Sequence, residues 1–171
     1  MMTDNAAVGW IGLGKMGVPM AGHLLKAGFA LTVYNRSSGP EVGLRDAGAA
    51  VAESPAALAQ NVGTIISMTS DDAALADVTD GPNGAFGAAA PGTLFIDMST
   101  VSPDISAKVG ARANELGLGY LRAPVSGGVA LAVAGTITVL ASGARADFDK
   151  ALPLFDAMAK KSFYVGQAEE A

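Results

Sequence analysis

Three glycines at fixed spacing constrain this chain more than any other feature. Gly12-Leu13-Gly14-Lys15-Met16-Gly17 closes the apolar run Val8 to Leu13. It opens a stretch in which Met16, Met20, Leu24 and Ala27 recur at helical spacing. A buried strand that turns directly into a helix is the context in which such glycines have separate tasks. Gly12 permits the tight turn. Gly14 lets a pyrophosphate approach the backbone with no Cβ in the way, and Gly17 lets the helix lie close on the strand. The free N–H groups and positive dipole end of the helix then face the phosphates. A turn that merely joins strand to helix is the bland alternative, and the strand-turn-helix context favours dinucleotide binding over it. The overlapping run from Gly9 to Lys15 imitates a nucleoside-triphosphate loop. That chemistry is excluded, because the hydroxyl needed for magnesium is replaced by the Met16 thioether and Gly9 falls inside the strand.

The rest of the chain alternates in the same way. Phe29 to Tyr34, Ala49 to Ala52, Thr64 to Met68, Thr93 to Asp97, Gly119 to Leu121, Thr136 to Ala141 and Ser162 to Val165 have strand character. Helical stretches separate most of them, and Gly28 and Gly48 close two of these helices. Ser54-Pro55 and Ser102-Pro103 are cap-plus-proline starts, and Ser70 is expected to cap the helix that carries Asp71 and Asp72. Pro124 to Gly128 is expected as a loop before a short helix, Val129 to Ala134, and the Ala/Gly-rich stretch from Gly84 to Gly92 as a loose loop. Half of the residues are apolar and only 16% are charged, as suits strands buried on both faces. The expected architecture is α/β: a Rossmann-type, doubly wound, mainly parallel sheet forming one domain over residues 1–171.

Charge and composition remove several other classes. The formal net charge is −5, without the basic footprint of a nucleic-acid binder. No cysteine is present, so neither disulfides nor thiolate metal sites arise, and no metal is expected. The single histidine, His23, lies about two turns into the first helix, where packing suits it better than catalysis. Met1 to Ala7 is short and polar, without the features of a signal peptide, and no segment suits a bilayer. A cytoplasmic protein with no membrane partner is expected.

The end of the second strand discriminates between cofactors. NAD enzymes place a carboxylate there to bond the adenosine ribose. This chain has Asn35-Arg36-Ser37-Ser38 instead. Arg36 offers a planar fork of donors for a 2′-phosphate, and Ser37 offers another. NADP(H) is therefore the preferred cofactor, with NAD(H) also admissible.

Four segments in order carry a family resemblance: Ile11 to Ala21, Ile66 to Asp71, Asp97 to Pro103, and Ala123 to Gly128 with Gly135-Thr136 following. Together they resemble the N-terminal domain of the β-hydroxyacid dehydrogenases. That group includes 3-hydroxyisobutyrate dehydrogenases, tartronate and succinic semialdehyde reductases and, more distantly, 6-phosphogluconate dehydrogenase. The resemblance implies hydride transfer between a nicotinamide and a small, carboxylate-bearing β-hydroxy acid or semialdehyde, in a homo-oligomeric enzyme. It places Met68 and Thr69 at the nicotinamide ribose and Thr100 near the nicotinamide, beside the glycine-loop residues and Asn35 to Ser37. It assigns the substrate carboxylate to Ser126, Gly127 and Gly128, a hydroxyl with consecutive N–H groups. Asp97 is better understood as a strand-end aspartate that bonds local N–H groups.

The family's proton-donating lysine is expected on a helix beyond Ala171, of which the last residues here would be the start. No catalytic residue is therefore assigned within the chain, which is expected to bind cofactor and be catalytically incomplete. Lys160 and Lys161 are expected to be a solvated pair at a helix C-terminus before the last strand. Two alternatives remain: an NADPH-dependent imine reductase, and a non-catalytic dinucleotide-binding module.

Overall fold

The computed structural model describes residues 7–171. The polar N-terminal segment discussed above therefore lies, Ala7 apart, outside the described residues. The first half comprises β1 (Val8–Ile11), α1 (Gly17–Lys26), β2 (Leu31–Tyr34), α2 (Val42–Asp46), β3 (Ala50–Val51), α3 (Pro55–Ala59), β4 (Thr64–Ser67) and α4 (Asp72–Asp80). The second comprises β5 (Leu94–Asp97), α5 (Pro103–Glu115), β6 (Gly119–Arg122), β7 (Val125–Ser126), α6 (Val129–Ala134), β8 (Ile137–Gly143), α7 (Arg145–Met158) and β9 (Ala159–Gly166).

The strands form one sheet, in which β3-β2-β1-β4-β5-β6 are neighbours and all parallel. β8 then runs antiparallel to β6 and β7 on one side and parallel to β9 on the other. The expected mainly parallel, helix-flanked sheet is what forms. Its one reversal follows from α6, whose six residues rise only about 9 Å and cannot carry the chain back along the sheet. β7 also corrects the expectation of a loop from Pro124 to Gly128: Val125 and Ser126 pair with Val139 and Thr138.

Side chains alternate across the strands into two cores. Trp10 joins Met20, Leu24, Leu121 and Phe155 beneath α1 and α7, while Ile11 joins Leu58, Leu75, Phe86 and Phe95 beneath α3, α4 and α5. Each large side chain buried this way contributes roughly 1.5–3 kcal/mol. Outside these cores, Leu140, Phe163 and Val165 leave an apolar strip exposed on the outer strands.

Several local expectations are met and others corrected. Ser54 Oγ accepts from Ala57 N at 3.0 Å and Ser102 Oγ from Ile105 N at 3.3 Å, as the cap-plus-proline pattern predicts. The cap of α4 is Asp71 rather than Ser70: Asp71 Oδ1 accepts from Ala74 N at 2.8 Å. A carboxylate accepts that bond and also brings a negative charge to the positive helix end, a charge that a hydroxyl lacks. Ser70 instead donates to Asp71 Oδ2 at 3.0 Å. The Gly84 to Gly92 stretch is tied down, because Ala85 and Phe86 are buried and donate to the Val78 and Thr79 carbonyls, each at 2.9 Å. Lys160 and Lys161 lie inside β9, which starts directly at the end of α7. Lysines on an edge strand deter further strand pairing. Residues 167–169 form bends, and no helix starts between them and Ala171. His23 has a packing role: its Nε2–H donates to the Ala132 and Val133 carbonyls at 3.0 and 3.1 Å, joining α1 to α6.

Candidate functional site

β1 lies between β2 and β4, so the strand order reverses there and the loops after β1 and β4 diverge. Such a switch point opens a crevice at the carboxyl ends of the strands. A cavity of about 530 Å³ occupies it. Every expected cofactor residue from Gly12 to Gly17 and from Asn35 to Ser37 lines it, with Met68 and Thr69. Thr100 does not. The remaining wall comes from Ile11, Tyr34, Ser70 and the α4 residues Ala74, Asp77 and Val78. Sequence reasoning missed these α4 residues, because an amphipathic helix does not reveal which of its residues border a cleft.

The three glycines differ in the way their spacing predicts. Gly12 has φ +99°, and a Cβ there would collide with the Met68 carbonyl oxygen. A Cβ on Gly17 would collide with the Gly12 carbonyl oxygen. A Cβ on Gly14 would meet nothing within 4 Å, so this glycine faces open space. The loop is braced from two sides. Trp10 Nε1 donates to Gly12 O at 2.9 Å, and Leu13 N donates to Asn35 Oδ1 at 2.9 Å. Asn35 Nδ2 in turn donates to Ser37 O at 2.7 Å. The Asn35 amide is thus engaged within the protein, where it joins the glycine loop to the Arg36-Ser37 turn.

α1 has no side-chain cap and no acidic residue in its first turn, in contrast to the capped α3, α4 and α5. An uncapped helix end beside a Cβ-free glycine suits a diphosphate. Arg36 is exposed at the cavity rim and, among the described residues, makes no hydrogen bond or ion pair. The Asp71 carboxyl lies below its ordinary range, mainly through the Ala74 N–H and Ser70 bonds, with the Arg36 charge contributing least.

The ends of β4 and β5 are joined by a serine network that the sequence did not reveal. Thr69 N donates to Ser99 Oγ at 2.8 Å, and the two hydroxyls lie 2.9 Å apart. Ser99 N and Ser67 Oγ both donate to Asp97 Oδ1, at 3.0 and 2.9 Å. Asp97 is only 2% exposed. Burial pushes its carboxyl up, against the opposing effect of these bonds and of the Arg122 charge. It serves as a local brace, as its strand-end position suggested. A second tie joins α4 to α5: Asp72 accepts from Ser102 N at 2.8 Å and from Ser102 Oγ at 2.5 Å. The only sequence signal for either tie is serine beside aspartate at strand and helix ends.

Thr100 lines a separate cavity of about 130 Å³, together with Asp97, Ser99, Arg122, Pro124 and Glu169. Ser99 turns toward Thr69, and Thr100, the next residue along, faces the other cavity. Ser126, Gly127 and Gly128 are exposed and line neither. Gly127 has φ +137°, a conformation that excludes most side chains. Among the described residues, no three His, Asp or Glu side chains gather as a metal ion requires, and no helix is long and apolar enough to cross a membrane.

Residues 7–166 match the NAD binding domain of 6-phosphogluconate dehydrogenase as a family. The chain is 41% identical over 159 residues to an NAD-dependent L-serine dehydrogenase of Pseudomonas aeruginosa, covering 93% of this chain and 53% of that protein. Its fold superposes on a Mycobacterium tuberculosis 3-hydroxyisobutyrate dehydrogenase, solved with L-serine, with a TM-score of 0.90 and 32% identity. That match covers 96% of this chain and 56% of the other. A Streptomyces aurantiacus imine reductase superposes with a TM-score of 0.86 and 27% identity, covering 96% and 56% of the two chains. The chain spans about half the length of the curated relatives it matches.

Proposed function

The chain belongs to the family of the NAD binding domain of 6-phosphogluconate dehydrogenase, and on that premise we propose that it takes NADP(H) in preference to NAD(H). The reaction it serves is hydride transfer between the nicotinamide and a small β-hydroxy acid or semialdehyde. The supporting observation for the cofactor preference is Arg36, an unengaged guanidinium at the rim of the 530 Å³ cavity, at a strand end that lacks a carboxylate. The NAD dependence in the name of the P. aeruginosa relative makes this preference a property to be tested on Arg36 itself.

In this reading the α1 end and Gly14 hold the pyrophosphate, Met68 and Thr69 border the nicotinamide ribose, and Thr100 lies toward the nicotinamide. The Ser126 hydroxyl and the Gly127 and Gly128 N–H groups take the substrate carboxylate. Among the described residues, neither a histidine nor a lysine lies in the segments that directly follow β4, β5 and β6. His23 is bonded to α6, and Lys15 sits on the glycine loop. Residues 1–171 alone are therefore expected to bind cofactor with little turnover.

Titration with NADPH and NADH, followed by energy transfer from Trp10, tests the cofactor assignment. Tighter binding of NADPH is expected. Arg36→Ala should weaken it about tenfold or more, the value of a charge-assisted bond, while leaving NADH unchanged. Equal affinities for both cofactors in the parent chain would withdraw the NADP assignment. Imine reduction is a second reading, supported by the similarity to the S. aurantiacus enzyme. The Ser126 to Gly128 turn weighs against it, since an imine brings no carboxylate to bind. Turnover of a cyclic imine but not of a semialdehyde, by a protein containing this domain, would reverse the order.

A further inference from the structure

The 130 Å³ cavity contains a cation that the reading above does not use. Arg122 ends β6 with only 8% of its surface exposed. Its guanidinium lies over the Tyr120 ring, 5.1 Å from the centroid, so the planar fork is held in one orientation. Nη1 donates to Ala168 O at 3.2 Å, and Nη2 to Ser106 O at 3.4 Å and Glu169 Oε1 at 3.0 Å. Nε is buried and has no partner.

The carboxylate on this arginine is an ill-matched one. Glu169 reaches it through a single oxygen, and its side chain is 51% exposed on the bent segment after β9. A guanidinium is best satisfied by a carboxylate that accepts two parallel bonds. A cation this buried needs an anionic partner, yet its present one is half in water and easily withdrawn. Asp97, the other acidic side chain lining the cavity, accepts from Ser67 and Ser99 at Oδ1, and burial disfavours its charged form. Thr100 and Ser99 also line this cavity.

We propose that Arg122 anchors a second carboxylate site, in which Glu169 is a resident surrogate that an acidic group of a ligand displaces. Resting on the dehydrogenase reading, which places Thr100 toward the nicotinamide, the site gives the enzyme a preference for substrates with an acidic group besides the one held at Ser126 to Gly128. A free small dicarboxylate would enter by the same exchange.

Malonate is the probe, with malonamide as its neutral counterpart, and amide chemical shifts of residues 1–171 are the readout. Malonate should shift Ser106, Arg122, Ala168 and Glu169 saturably, and malonamide should not. Glu169→Gln removes the competing carboxylate and should tighten malonate binding by about threefold or more, because the site is then open in a larger fraction of molecules. Arg122→Met should abolish the shifts. Shifts confined to Gly127 and Gly128, unchanged malonate affinity in Glu169→Gln, or equal response to malonamide would overturn the proposal. The Glu169→Gln result decides even if Arg122→Met fails to fold. The NADPH titration is independent, so loss of cofactor binding with intact malonate binding would remove the dehydrogenase reading and leave the site.

Discussion

At the residue scale, three chemically identical side chains have three different duties. A Cβ on Gly17 would meet backbone, which cannot swing aside, so Gly17→Ala should cost about 1–3 kcal/mol of stability through forced displacement of the loop. Gly12→Ala adds a left-handed backbone to a similar collision and should cost at least as much. Gly14→Ala meets open space and should leave the melting temperature within a degree or two, yet weaken NADPH binding. Denaturant melts paired with cofactor titrations on all three variants check this. A Gly14→Ala protein with parental affinity would mean that the cofactor does not approach the loop at this point.

Among the elements, α4 and α5 depend on charge for their mutual position. Asp72 bonds both the N–H and the hydroxyl of Ser102, and those bonds hold its carboxyl below the ordinary value of 3.8. A carboxylate depressed in the folded state contributes stability above its unfolded pKa and loses it as the pH falls through the folded one. Asp72→Asn should therefore melt earlier than the parent at pH 7, and the gap should close as the pH drops below about 4. A gap of the same size at pH 3 and pH 7 would assign the loss to packing rather than charge. Caps act on the same scale: Ser54→Ala should cost α3 about 1 kcal/mol, measured by urea unfolding.

For the whole molecule, one sheet separates two cores without separating their stability. Phe155, on the inner side of α7, is fully buried on one face, and Phe95 of β5 is 1% exposed on the other. Phe155→Ala and Phe95→Ala should each cost about 3–5 kcal/mol. Both should lower the urea midpoint in a single transition seen alike by Trp10 fluorescence and far-UV dichroism. Divergent curves would show that the two faces unfold as separate units.

The sequence by itself determined the strand and helix order apart from β7, together with the glycine loop and the N-caps of α3 and α5. These depend on short-range rules: where the hydrophobic period changes, where a backbone must turn with positive φ, and which side chain reaches an N–H three residues on. The place of Arg36 on the cavity wall was legible for the same reason, since a strand end in a known order has a known neighbour. The tertiary structure alone decided what lies far apart in the chain but close in space. It put Ala74, Asp77 and Val78 on the cavity wall, joined Thr69 to Ser99 and Asp72 to Ser102, and placed Thr100 in a different cavity from Gly14. It also reversed β8, because a six-residue helix cannot span the sheet, and brought Arg122 against Glu169, 47 residues away. Pairing across such distances depends on packing and strand register, and no local pattern in the sequence encodes either.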